Sequence, residues 1–529
     1  MNARALAAVV LWLPTTAAAA EQVITLDGVI QADGLDHEFV DFEVPAGTVE
    51  IEIRHAAVSD DDVLDWGLYD QDGSRGWGGG NEEPAVVGID AASRSYAPGP
   101  IAPGTWRVVI GKAQIVRSSA AYELEVVLRD EPTLATQPER SAYQPSPALS
   151  DAPRWYAGDF HVHSRESGDA RPPIDEVATF ARSRGLDFVE LSDHNVVSQA
   201  DFIGAVQPDH PELLLLPGIE FTTYAGHANA IGATVWVDHK IGQPGVTIAG
   251  AFAELHEQGA LVSINHPALD LLDLCIGCAW DHDVDPADID AVEIATTGFD
   301  QAGRLFNDDA IAFWDELCDM GAHAAAIGGS DDHKAGVGTA LFQSPIGDPT
   351  TMVFAAELSA AALLDGIRAS RTVVKLQGPA DPMVELVAVR EHEGDTVYAD
   401  VPVDYTATAS GAAGLRLRVM QDGEALETVD VAGDPFVHAF AIASPASGET
   451  RVRIELLEGT QRRVITSHVW QRACDDTACS DPSGADTSGT GDGCSQDQDD
   501  EQDVERRAEF DHQRQPAGGQ ERDCCDAVV

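Results

Sequence analysis

Lysine is almost missing from this sequence: Lys112, Lys240, Lys334 and Lys375 are the only four in 529 residues. Basic residues of both kinds number 32 against 89 Asp and Glu, a formal net charge of −57. Such a surface repels phosphate backbones and anionic membranes, which argues against nucleic acid as a partner. It attracts cations, and most of the charge reads as a solvated acidic surface whose self-repulsion is relieved by salt. Cysteine is scarce too, with eight residues, too few for a disulfide scaffold. No convincing internal repeat is present. Long apolar runs are lacking: residues 5–13 are too short to span a bilayer, so no membrane span is expected. That run follows Arg4 and leads into Ala18-Ala19-Ala20, the order of a secretory signal cleaved near Ala20, before Glu21. The chain is thus expected to be exported to periplasm, cell surface or medium.

What is there is globular, 44% hydrophobic, and long enough for about three domains. Residues 21–130 alternate apolar and other positions (Val49, Ile51, Ile53; Trp106, Val108, Ile110; Tyr122, Leu124, Val126), the period of half-buried strands. Gly and Pro turns separate the runs, as in a β-sandwich or jelly roll. Trp77, beside Gly78, Gly79 and Gly80, reads as one packed ring in a loop. Residues 131–156 are a Pro- and Ser-rich linker. In residues 157–376 short apolar runs (185–191, 213–219, 260–264, 289–294, 323–327) alternate with helical stretches (173–184, 249–258, 310–320, 359–370). That order predicts α/β architecture with a parallel sheet, open or closed. Residues 377–472 return to alternation, a second all-β sandwich, and 473–529 form a polar, disordered tail. Cys275 and Cys278, in an exported chain, are expected to be oxidised together, since a zinc ribbon would need a second Cys or His pair nearby. Cys318 reads as a core residue, and the remaining cysteines lie in the tail.

Chemistry concentrates in residues 157–376. Phe160-His161-Val162-His163-Ser164 carries two imidazoles two apart, which share one face of a strand. Asp169 follows. Leu191-Ser192-Asp193-His194-Asn195 and Pro217-Gly218-Ile219-Glu220 end apolar strands; then come Gly226-His227-Ala228-Asn229 and Ile264-Asn265-His266-Pro267. Ser330-Asp331-Asp332-His333-Lys334 repeats the i, i+2 spacing with Asp331 and His333. One such His is more often a hydrogen-bonded core residue than a ligand. Six, with carboxylates, all near strand ends where α/β sites form, predict a centre for two or three divalent ions (Zn, Mn or Fe). Glu220 is placed to bridge them, and an ionised water would be the nucleophile. His210, His239, His256, His282 and His323 lack such contexts and read as core or surface residues.

The ordered set HxH, SDHN, GIE, Gly-His, NHP and SDxH resembles the PHP (polymerase and histidinol phosphatase) superfamily over residues 158–375. The flanking β regions, the export signal and the Cys-x-x-Cys-Ala-Trp stretch look like its carbaryl-hydrolase-like (CehA/McbA-like) branch. The resemblance implies a distorted (β/α)7 barrel flanked by N- and C-terminal all-β sandwich domains. It implies that His161, His163, Glu220 and Asp331 hold one metal. Glu220 would bridge to a second, held with His227 and His266, and His194 and His333 would ligate a third. Where trinuclear members carry a His, this chain has Asp169, which leaves the third site weaker, selective for another metal, or empty. Asp193 either orients its neighbours or caps the following turn.

Glu220, Asp331 and Lys334 are the expected catalytic residues, with Lys334, or less favourably Arg165, neutralising an ester's phosphate oxygen. The expected substrate is a small-molecule ester, and the sequence names no partner protein. Three readings follow: a phosphoesterase, a carboxyl-ester or carbamate hydrolase with the same centre, and a non-catalytic exported binding protein.

Overall fold

A computed structural model describes residues 21–59, 61–271, 275–296, 304–338, 344–389 and 395–474. The expected signal and all but the first two residues of the expected tail lie outside the described residues. No helix among the described residues is long and apolar enough to cross a membrane.

Residues 21–129 form two antiparallel sheets. One contains Glu50–Ala57, Ala85–Gly88 and Ser119–Arg129; the other is built on His37–Val44, Val63–Tyr69, Ser74–Gly79 and Gly104–Gln114. The period-two residues meet between them: Ile51, Ile53, Leu124 and Val126 from one sheet, Trp106, Val108 and Ile110 from the other, all at most 2% exposed. The second sheet is partly buried on its outer face as well. Val109 points opposite to Val108 and packs with Trp77 against Val196 of the following region.

That region is a mixed sheet with few helices. Arg154–Asp159, Phe188–Leu191 and Leu214–Thr223 run parallel; Leu261–Ile264, Ala291–Ala295 and Ala325–Gly328 form a second parallel set. Gly226–Ile231 joins the sets and is antiparallel to both neighbours, which departs from an all-parallel sheet. The cause is local. Only Tyr224 and Ala225 separate Thr223 from its partner Gly226, and a two-residue turn reverses the chain with no room for a crossover helix. Gly226 takes φ +144°, a conformation that excludes a β-carbon. Beyond the first and last strands the chain pairs again: Asp331 N donates to His161 O (2.9 Å) and His163 N to Asp332 O (3.1 Å).

Three helices start within a residue of where the sequence places them; Arg304–Asp319 begins six residues before the expected 310, and Ala200–Val206 is not among those expected. Ile174–Ser183 follows Pro173 and buries Ile174, Val177, Ala178 and Ala181, one helical stripe. Ile248–Glu257 and Ala360–Arg368 are capped by Thr247 and Ser359, whose hydroxyls accept from Gly250 N and Ala362 N.

On its other side Arg154–Asp159 pairs with Thr350–Ala355, then Thr372–Lys375, then Gln461–Thr466, so one sheet runs on into the C-terminal strands. A further three-stranded sheet (Met383–Ala388, Val403–Ser410, Phe436–Ile442) covers those strands across a shared core. At the opposite end, the free edge of Ala325–Gly328 meets side-chain hydroxyls. Ser467 Oγ accepts from Ala326 N (2.7 Å), Thr372 Oγ1 donates to Ala326 O (2.7 Å), and Thr351 Oγ1 accepts from Gly328 N (2.8 Å) and donates to Gly328 O (2.9 Å).

Candidate metal centre

Every strand end singled out in the sequence opens onto one point, and Glu220 stands at its middle. Its Oε1 lies 3.3 Å from His161 Nε2, 3.1 Å from His227 Nδ1 and 3.3 Å from His266 Nε2. Its Oε2 lies 2.8 Å from His194 Nδ1 and 3.4 Å from His163 Nε2. Asp331 Oδ1 is 3.3 Å from His161 Nε2 and 3.1 Å from His163 Nε2. Asp169 Oδ2 lies 3.1 Å from His333 Nε2 and 3.4 Å from His194 Nε2. All nine expected ligands are therefore brought together. Asp331 (φ 55°) and His266 (φ 28°) sit in the left-handed region, strain of the kind held at functional sites.

The donor set fits cations. His161, His163, Glu220 and Asp331 present ligand atoms to one another at metal-binding separations, and so do His163, Asp169, His194 and His333. His161 Nε2, both ring nitrogens of His163, Glu220 Oε2 and His227 Nε2 are buried with no hydrogen-bond partner. Buried polar atoms are rarely left so, and a divalent ion answers several at once. His227 and His266 also converge with Cys278, but that sulfur is bonded to Cys275 and is no thiolate donor. The expected disulfide is thus present. Burial opposes ionisation of Glu220, yet His161, His194 and His227 outweigh it and hold the carboxyl well below its usual range. Burial likewise opposes charge on His161, but Glu220, Asp331 and Glu293 raise it well above an ordinary histidine.

Of the supporting carboxylates only Asp193 belongs to the motifs. Glu293 Oε2 lies 2.8 Å from His161 Nδ1 and so turns Nε2 inward. His266 Nδ1 lies 3.0 Å from Cys278 O, which does the same for His266. Asp159 accepts from His161 N and Ser330 N, both at 3.0 Å, and from Gly347 N at 2.7 Å, tying the two ligand loops. Asp193 accepts from Ser164 N (2.7 Å), Ser167 N (3.0 Å) and Ser164 Oγ (2.7 Å). It therefore folds the loop before Asp169 rather than capping the turn after itself. Of the others only Asp159, one residue before the first motif, gave a signal that sequence reading could have used.

A cavity of about 1130 Å³ lies over the cluster, roofed by the N-terminal sheets through Trp77, Gly78 and Asn81. Lys334 lines it with an exposed side chain, as does Arg171, whose Nη1 is 2.9 Å from Glu83 Oε1. Arg165 does not line it; its Nε lies 3.9 Å from Glu166 Oε1. Leu269, Leu271 and Ile276 form an apolar wall. His239 also faces the cavity: buried against Trp77, it leaves both ring nitrogens without partners. Trp77 is packed, as expected, but it lies in the strand Ser74–Gly79 rather than in a loop.

No family model matches the chain, and no curated protein does. Among solved structures it is similar to a two-domain protein containing a predicted PHP-like metal-dependent phosphoesterase from Bacteroides vulgatus (19% identity, 63% of this chain and 100% of that one, TM-score 0.34). It is also similar to a candidate metal-dependent phosphoesterase from Bifidobacterium adolescentis (14% identity, 36% and 91%, TM-score 0.25). A third is an amidohydrolase from Chromobacterium violaceum (15% identity, 35% and 93%, TM-score 0.25). These are partial likenesses of fold.

Proposed function

We propose that this chain is an exported metal-dependent hydrolase, foremost a phosphoesterase, of the PHP superfamily and its carbaryl-hydrolase-like branch. The observation that carries the reading is the convergence of six imidazoles on three carboxylates, Glu220, Asp331 and Asp169, with several buried ligand-type atoms lacking a hydrogen-bond partner. His161, His163, Glu220 and Asp331 would hold one ion, His227 and His266 with Glu220 a second, and Asp169, His194 and His333 a third. When bound, divalent ions supply Lewis acidity and an ionisable water at neutral pH. The chain's own residues do the rest. Glu220 and Asp331 would bring negative charge to the ions they hold, and Glu293 fixes the ring of His161. Lys334 and Arg171 offer positive charge at the cavity wall to an anionic ester oxygen. The reading includes a distorted (β/α)7 barrel for residues 157–376, with sandwiches at 21–130 and 377–472. The pairing of residues 161–163 with 331–332 supports closure, and a core confined to residues 24–128 supports the N-terminal division, whereas the C-terminal strands share their core with the central region.

The wall of Leu269, Leu271 and Ile276 favours a second reading, hydrolysis of a carboxyl ester or carbamate with an apolar leaving group. Elemental analysis of the purified protein, with turnover of bis-p-nitrophenyl phosphate and naphthyl acetate, separates the two. Two or more transition-metal equivalents with phosphodiester cleavage are expected; metal with ester cleavage alone would move the assignment to the second reading. No metal, even after reconstitution with Zn or Mn, would leave a binding protein. His161→Ala combined with His163→Ala is expected to abolish metal and turnover while the sandwiches stay folded, and full activity in that variant would end the metal mechanism.

A further inference from the structure

Arg94 belongs to the N-terminal β region, yet its guanidinium is spent on another part of the chain. It is 8% exposed. Nη1 donates to Ala170 O (2.7 Å), Ser167 O (3.3 Å) and Arg165 O (3.4 Å), and Nη2 to Gly168 O (3.0 Å). Nε is held by Glu83 Oε2 at 2.9 Å. Four carbonyls of residues 165–170 thus turn onto one planar fork, an arrangement that a lysine's single ammonium does not reproduce. Next to it Ser95 N donates to Glu166 Oε2 (3.1 Å) and Ser95 Oγ to Glu166 O (2.7 Å). The two backbones also touch: a β-carbon on Gly168 would stand 2.1 Å from Gly78 O.

The gripped segment is the one that delivers Asp169. That side chain is 55% exposed, so burial does not fix it; within the segment Ser167 Oγ donates to its Oδ1 at 2.8 Å. Its approach to His333 and His194 also depends on its backbone, which is held on both sides. Asp193 holds it from the central strands through the amides of Ser164 and Ser167, and Arg94 holds it from the N-terminal sheets through the carbonyls. A ligand on a loop binds well only if the loop is already ordered, since ordering it on binding costs free energy.

We propose that Arg94 is a positioning residue for the cation site of Asp169, His194 and His333, so that the N-terminal β region sets how many cations the protein holds. The proposal rests on the metal reading above. It gives the N-terminal sheets a task in the chemistry beyond covering it.

The test is Mn²⁺ binding by metal-stripped full-length protein, read by equilibrium dialysis with elemental analysis and requiring no turnover. The parent is compared with Arg94→Met, Arg94→Lys, Ser95→Ala, Asp169→Ala and the Arg94→Met/Asp169→Ala pair. Thermal unfolding of the metal-free proteins reports folding, and Arg94→Lys carries the test if Arg94→Met does not fold. Asp169→Ala is expected to weaken one equivalent and leave the others. Both Arg94 variants are expected to weaken that same equivalent by about 10–100-fold. The paired variant should bind like Asp169→Ala alone, and Ser95→Ala, which loosens the same contact without touching residues 167–170, like the parent. Parental binding in folded Arg94→Lys, an equal loss in Ser95→Ala, additive losses in the pair, or no effect of Asp169→Ala would each overturn the proposal. A parent that takes up no Mn²⁺ would instead remove the metal centre itself, and this inference with it.

Discussion

His37 shows how a single side chain ties the N-terminal sheets to solution conditions. It is buried, stacks on Tyr224 with ring centroids 5.4 Å apart, and leaves Nδ1 without a partner. Burial, then the charges of Lys240 and Lys112, push it down to about 3. A depressed histidine favours the folded state above its ordinary pKa near 6.5, and that stability is lost as pH falls toward 3. Within that window each proton taken up only by the unfolded chain costs about 1.4 kcal/mol per pH unit. Thermal unfolding at pH 7.5 and pH 5 is therefore expected to show a drop that His37→Gln flattens; an equal drop in that variant would assign the effect elsewhere. Four of the nine candidate ligands were legible at this scale because they come as doublets, His161 with His163 and Asp331 with His333; the other five stand singly, near the ends of apolar runs or, for Asp169, after the first doublet. Glu293 was not: it is one carboxylate inside an apolar strand, and it gains meaning only when placed beside His161, 132 residues away. Arg94 had no signal at all, since its partners are backbone carbonyls more than 70 positions along the chain.

Among the elements, the helix Ile248–Glu257 illustrates what local sequence decides. Thr247 Oγ1 accepts from Gly250 N at 3.1 Å, and Ala251, Phe252 and Leu255 go inward. Thr247→Ala is expected to destabilise the protein by about 1 kcal/mol in chemical denaturation, because one amide of the first turn loses its acceptor. An unchanged midpoint would show that water replaces the cap without loss. Such starts and stripes are written in neighbouring residues, which is why four of the five described helices were anticipated. The fifth, Ala200–Val206, has seven residues and no side-chain cap, too little pattern to register. Strand direction was equally hidden. Gly226–Ile231 is buried at all six positions, like the parallel strands around it, and burial has no sign along the chain. Only the two-residue turn before it distinguishes an antiparallel strand, and Tyr224-Ala225 is not a common turn pair.

For the molecule as a whole, a net charge of −57 sets the dependence on salt. The Debye length shrinks from about 30 Å at 0.01 M to about 3 Å at 1 M ionic strength, so repulsion across the surface is nearly silenced. The unfolding temperature is expected to rise between those conditions, and a flat or falling curve would mean that paired charges outweigh the excess. The docking of the N-terminal sheets over the centre could not be read from sequence either, since it rests on Val109, Trp77 and the close approach of Gly78 to Gly168. The edge strand Ala325–Gly328 has a separate consequence. Unpaired strand edges are where one protein molecule zips onto another, and many proteins defend them with charge or proline. Here the hydroxyls of Thr351, Thr372 and Ser467 already occupy the amides and carbonyls of Ala326 and Gly328. An incoming strand finds nothing to bond, and the backbone leading to Asp331 and His333 is shielded from polymerisation by three small alcohols.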